Sequence, residues 1–192
     1  MKRVPVGPSF RAERVHAAIV DQIAACVARG VRVVHYSVQH DHLHLLVEAQ
    51  DKKEVARRLQ LLFSRIAFAV NRVARRHGSL FRDRHHRREL TSPTETRNVL
   101  VYLFFNTRKH AIEHARATNA TFELDTMTSA AWFDGWHPIA RPPPAAFARA
   151  RGARASPPTA PPQTWLAAEG WLRGGGPIGF HELPSVPRQL RA

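Results

Sequence analysis

Disulfides are absent from this chain. Its 192 residues include one cysteine, Cys26, so no internal cross-link can hold it together. Stability has to come from a buried core, for which 44% apolar residues is sufficient material. The lone thiol fits a reducing cytosol, the expected location. Within Ile23-Ala24-Ala25-Cys26-Val27 it reads as core packing rather than as a reactive group. No apolar run approaches the roughly 18 residues a membrane span needs, so no membrane partner is expected. The opening Met1-Lys2-Arg3-Val4-Pro5 has no apolar stretch resembling a secretory signal. Tyrosine is scarce as well, with only Tyr36 and Tyr102.

Negative charge is also in short supply. Against 29 Lys and Arg stand 15 Asp and Glu, a net charge of +14. The excess is concentrated: residues 52–116 carry 16 basic and 5 acidic side chains, whereas residues 1–51 carry 6 and 5. Such a segment attracts polyanions, because each phosphate contact releases condensed counterions. A well-solvated Arg-rich surface is the plainer reading that charge alone leaves open.

Val15, Ala18, Ile19, Ile23 and Cys26 recur at helical spacing, which predicts a helix over 12–28 with Gly30 near its end. Residues 31–38 and 42–48 read as strands of a hairpin around the turn Gln39-His40-Asp41. Asp51-x-x-Glu54 is a capping box opening a long helix to about His77, where Gly78 stops it. Residues 79–90 form a basic connector with some strand character. Ser92-Pro93-Thr94-Glu95 caps another helix running to about Arg116. Beyond it, the proline-rich stretch 137–163 reads as a flexible or polyproline linker. The islands Trp132-Phe133-Asp134-Gly135-Trp136 and Trp165 to Trp171 are expected to dock as an arm. The predicted organisation is a domain over 1–116 and a largely irregular arm over 117–192. The element order predicts an α+β sandwich with helices on one face of an antiparallel sheet.

Two constellations could carry chemistry. His42 and His44, two apart on a strand, point to one face and can share a divalent ion, with Leu43 anchored on the other. Tyr102 and Asn106 lie one helical turn apart on one face, which places a phenol beside an amide oxygen. Each has a structural alternative: a chance pairing in a chain with 12 histidines, and a half-buried Tyr near a helix–sheet contact.

Taken together, they resemble a family. Arg32 to Glu48, with His42-Leu43-His44, resembles the HUH strand of single-tyrosine transposases, of which the REP-associated tyrosine transposases are the nearest branch. Asn98 to Asn106 resembles that family's catalytic helix, and Gly78 to His85 its connecting segment. The likeness spans about residues 8–115. It implies a ferredoxin-like or RRM-like sheet, Mg²⁺ or Mn²⁺ held by His42, His44 and Asn106, and Tyr102 as nucleophile. It also implies a single-stranded or hairpin DNA substrate cut through a 5′-phosphotyrosine, and it is compatible with a homodimer. Phosphate-contact candidates are Arg57, Arg58, Arg65, Arg72, Arg75 and Arg76, and also Arg82, Arg84, Arg87 and Arg88 beside Phe81, His85 and His86.

The first strand departs from that pattern. Pro5, Gly7 and Pro8 cannot make a central strand, so either Val4 to Val6 supplies a stub or the strand is missing, as in a truncated copy. A missing strand would leave the edge of the HUH strand unpaired. Two other readings stay open: a catalytically inactive nucleic-acid-binding relative, and a zinc-dependent hydrolase in which Tyr102 is structural.

Overall fold

The predicted helix over 12–28 forms α1, Glu13–Val27, and its apolar stripe becomes the buried face Val15, Ile19, Val20, Ile23 and Cys26. The computed structural model describes residues 2–4, 7–82, 86–113 and 123–184, and of 109–113 the backbone only. The hairpin follows as β1, Arg32–Val38, and β2, Leu43–Glu48, antiparallel with Ser37 opposite His44 and Val38 opposite Leu43. The register slips between Val33 and His35, a bulge at Val34. The next helix, α2, spans Lys52–Val73 and buries Leu59, Leu62, Phe63, Ile66, Ala69 and Val70. Asp51 caps it by accepting from the Lys53 and Glu54 N–H groups, and Glu54 reaches back to the Gln50 N–H. After these come α3, Pro93–Glu113, α4, Pro144–Arg151, and α5, Trp165–Ala168, with short 3₁₀ turns at Ser129–Trp132 and Gly170–Gly174. The fold is α+β, as the sequence predicts. Among the described residues no helix is long and apolar enough to cross a membrane.

Two boundaries differ from the sequence reading. First, α2 ends at Val73, short of His77. Arg75 adopts a left-handed φ of 49°, the Arg75 N–H donates to Arg72 O and the Arg76 N–H to Asn71 O. That is a Schellman motif with arginine at the position glycine usually takes, and Asn71 braces it by bonding Gly78 O and the Arg76 guanidinium. Second, among the described residues the start of the chain pairs as a stub at Lys2–Arg3. Lys2 bridges His42, Arg3 bridges Phe81, and backbone bonds run from Arg3 N–H to Asp41 O and from Val4 N–H to Leu80 O. Pro5 and Val6 lie outside the described residues. The lateral order Phe81, Lys2–Arg3, β2, β1 is that of a ferredoxin-like sheet whose first and last strands are represented, among the described residues, by single bridges. Among the described residues, the edge of β2 away from β1 is paired at His42 only.

The chain divides into two compact units: Met1–Arg88 with Ser156–Pro162, and Glu89–Ala155 with Gln163–Ala192. In the first, α1 and α2 pack together, and Phe10 and Phe63 meet the Phe81 ring edge-on at 6.0 and 5.4 Å. The segment 156–162 joins this unit, its Ala160 N–H donating to Val33 O and its Pro161 carbonyl accepting from Arg32. The proline-rich stretch is therefore not simply a linker, since it also contains α4.

In the second unit α3 groups with the tail, so the expected boundary at residue 116 falls inside it. The reason is aromatic packing: Phe104 lies 4.9 Å from Phe133 and 5.8 Å from Trp136, and Phe133 lies 5.3 Å from Trp171. The two Trp islands do dock, against α3. Arg97 pins the tail further, its guanidinium making two bonds to the Glu182 carboxylate at 2.9 and 2.7 Å. Gly174 allows the approach, since a Cβ there would lie 2.6 Å from Pro93 O.

Burial of His35 in β1 has a measurable consequence. Desolvation lowers its pKa from 6.5 to about 4, with Glu48 acting weakly the other way. Between those values the unfolded chain takes up a proton and the folded chain does not. Stability is therefore full above pH 6.5 and falls as the pH drops toward 4, by about 3 kcal/mol in all. Denaturant titrations across that range are expected to show this slope and to show it flattened in His35→Gln. An unchanged slope in the variant would assign the effect elsewhere.

Candidate metal and nucleic-acid site

Alternation along β2 delivers the two histidines as the sequence predicts, with His42 bridged to Lys2 at the strand's start and His44 inside it. Leu43, between them, is buried. The two Nε2 atoms stand 2.9 Å apart and the rings are nearly perpendicular, at 86°. His42 Nδ1 sits 2.7 Å from Asp41 Oδ1. Burial pushes the Asp41 carboxyl up, but the His42 hydrogen bond and charge and the Lys2 ammonium outweigh it and hold its pKa below the ordinary value. An ionised carboxylate only accepts, so Nδ1–H is the donor and His42 Nε2 keeps its lone pair. Burial, with Lys2 adding to it, lowers the His42 pKa against the opposing pull of Asp41, which favours the neutral ring.

The 2.9 Å separation suits two chemistries. One is a hydrogen bond between rings. The other is a pair of lone pairs directed at one cation, because imidazole nitrogens about 2.1 Å from a shared ion lie roughly 3 Å apart. The carboxylate behind His42 is the arrangement that fixes the tautomer and orientation of metal-ligating histidines. Asp41, read from sequence as part of a turn, is thus a functional candidate. Its signal was position: an acidic residue immediately before His-x-His. Asp41→Asn is expected to weaken Mn²⁺ binding by about 10- to 100-fold, read by calorimetric titration. Equal affinity in the variant would reduce Asp41 to a turn residue. His40, two residues before His42 in the same turn, bonds Ser9 Oγ through Nδ1 at 3.0 Å and stays outside the pair.

Among the described residues no group of three or more His, Cys, Asp or Glu side chains could hold a metal. A third donor would have to be of another type. On α3, Asn106 is 1% exposed, and neither its Oδ1 nor its Nδ2 has a hydrogen-bond partner among the described residues. An unsatisfied buried amide costs about 1–3 kcal/mol; Asn106 belongs to the second unit, whereas His42 and His44 belong to the first. Tyr102, one turn earlier on α3, is half-buried.

The ten arginine candidates separate into groups. Arg58 is held by Glu54 and Arg29 O, Arg65 by Gln22, and Arg76 by Asn71 and Ser79 O. Arg87 donates to Lys52 O. Arg82 and Arg88 are exposed, and Arg84 lies outside the described residues with Asp83 and His85. Arg57, Arg72 and Arg75 are exposed, with side chains that bond no other described residue. These three are free to meet a phosphate without first giving up a protein partner.

No protein-family model, curated protein or solved structure matches the chain.

Proposed function

We propose that the protein is a metal-dependent DNA strand transferase of the HUH transposase type, acting on single-stranded or hairpin DNA. The observation that supports this most is the convergence of His42 and His44 Nε2 at 2.9 Å with the Asp41 carboxylate behind His42. It occurs in a chain of net charge +14. Mixed nitrogen and oxygen donors without thiolate suit Mg²⁺ or Mn²⁺ rather than structural zinc. His42, His44 and the Asn106 amide oxygen would hold the ion, which would supply charge stabilisation at the scissile phosphate.

The protein's side chains do the rest. Tyr102 Oη attacks phosphorus, an Oη–P bond forms, and the P–O3′ bond breaks. The phenolic proton is released and the departing 3′ oxygen gains one, leaving a free 3′-OH and a 5′-phosphotyrosine. The ester retains the free energy of the broken bond, so attack by a second 3′-OH joins new ends without ATP. Arg57, Arg72 and Arg75 hold the backbone, and binding should fall steeply with salt.

The test is to incubate the protein with an end-labelled hairpin and Mn²⁺ and to follow a covalent adduct on a denaturing gel, together with a 3′ end that a polymerase extends. Strand transfer requires both. Cleavage without an adduct would indicate hydrolysis instead. Binding with neither would leave a nucleic-acid-binding relative without catalysis.

A further inference from the structure

Phe68 on α2 is 73% exposed, and Leu61 on the same helix is 40% exposed. They belong to one stripe. Arg57, Leu61, Ser64, Phe68 and Arg72 follow at steps of three and four residues and all are exposed, so they line a single face of the helix. Arg57 and Arg72 bracket the ring over about 22 Å, from 15 residues at 1.5 Å each. Their guanidinium groups bond no other described residue. After Glu54, which Arg58 engages, α2 contains no acidic residue. A second copy docked symmetrically on this stripe would set arginine against arginine, so the charge pattern favours a polyanion.

We infer that this stripe is a stacking platform for single-stranded nucleic acid: one base lies on the Phe68 ring beside Leu61, and phosphates several nucleotides apart along the strand meet Arg57 and Arg72. An aromatic face between unpaired cations is the arrangement that binds unpaired strands with little regard to sequence. A duplex keeps its bases stacked inside and offers the ring nothing. The inference rests on the nucleic-acid part of the proposed function and not on its chemistry, so it is tested where no chemistry can occur.

The experiment uses the full chain in EDTA, a fluorescein-labelled oligo-dT of about twenty nucleotides, and a blunt duplex of equal length, all followed by anisotropy. Phe68→Ala is expected to weaken oligo-dT binding about tenfold, while duplex binding changes less than twofold and the melting temperature is unaltered. Phe68→Trp should retain the affinity. The double variant Arg57→Ala/Arg72→Ala should reduce the salt slope on oligo-dT by about 1.4, and Phe68→Ala should leave that slope unchanged. The inference is overturned if Phe68→Ala binds oligo-dT as tightly as the unaltered chain, or loses both DNAs equally. It is also overturned if sedimentation shows a dimer that Phe68→Ala dissolves, which would assign the stripe to a second copy. Because no metal is present, failure here leaves strand transfer standing, and failure of strand transfer leaves the platform standing.

Discussion

Tyr102→Phe is expected to abolish the covalent protein–DNA adduct, with a loss of at least about 10⁴-fold in the rate of cleavage, while hairpin affinity stays within about twofold. The substitution removes one oxygen from a half-buried ring on α3 and leaves its packing volume almost unchanged. Tyr36, the only other tyrosine, is 3% exposed in β1. It is poorly placed to take over as nucleophile. Cleavage that survived Tyr102→Phe would turn the reaction into hydrolysis by an activated water and make the phenol structural.

The second large effect concerns the imidazole pair. His42→Ala and His44→Ala should each weaken Mn²⁺ binding by at least about 100-fold, since a site with few donors loses most of its affinity with any one of them. Two rings acting on one ion, as proposed, would make the double variant little worse than either single variant. EDTA should abolish adduct formation by the unaltered protein, and added Mn²⁺ should restore it. Calorimetric titration and the adduct gel read the two consequences separately. Unchanged Mn²⁺ affinity in either variant would leave the 2.9 Å contact as a hydrogen bond between rings.

The parts of the fold that were legible in the sequence are those set by local chemistry. Asp51 and Ser92 announce their helices because a capping side chain must satisfy free N–H groups within three residues, and both do. The alternation through His42, Leu43 and His44 placed two rings together, because strand geometry leaves little choice. Cys26 is buried and free, as its apolar neighbours implied.

What stayed hidden depends on tertiary context. Arg75 ends α2 in a left-handed conformation for which arginine gives no signal, so Gly78 looked like the stop. Lys2–Arg3 forms a stub only because the backbone at His42 and Phe81 receives it. Sequence could not separate Arg57 and Arg72 from Arg58, Arg65 and Arg76, since the difference lies in carboxylates, amides and carbonyls supplied by distant or neighbouring turns. Helical spacing sets Phe68 off the buried stripe of Leu59, Leu62, Phe63, Ile66 and Val70, but gives no measure of how far its ring stands in solvent. The grouping of α3 with the tail follows from Phe104 and Phe105 meeting Phe133, Trp136 and Phe180, which periodicity does not encode.

The central claim is that the Tyr102 oxygen becomes bonded to DNA. Trypsin cuts after Arg97 and Arg108 and releases Asn98–Arg108, in which Tyr102 is the sole tyrosine. The measurement is to form the adduct with Mn²⁺ and hairpin DNA, trim it with nuclease, digest it and weigh the peptides. The account predicts Asn98–Arg108 carrying a nucleotide through a 5′-phosphate. A nucleotide found on any other peptide, or on none while the DNA is nevertheless cut, would contradict it.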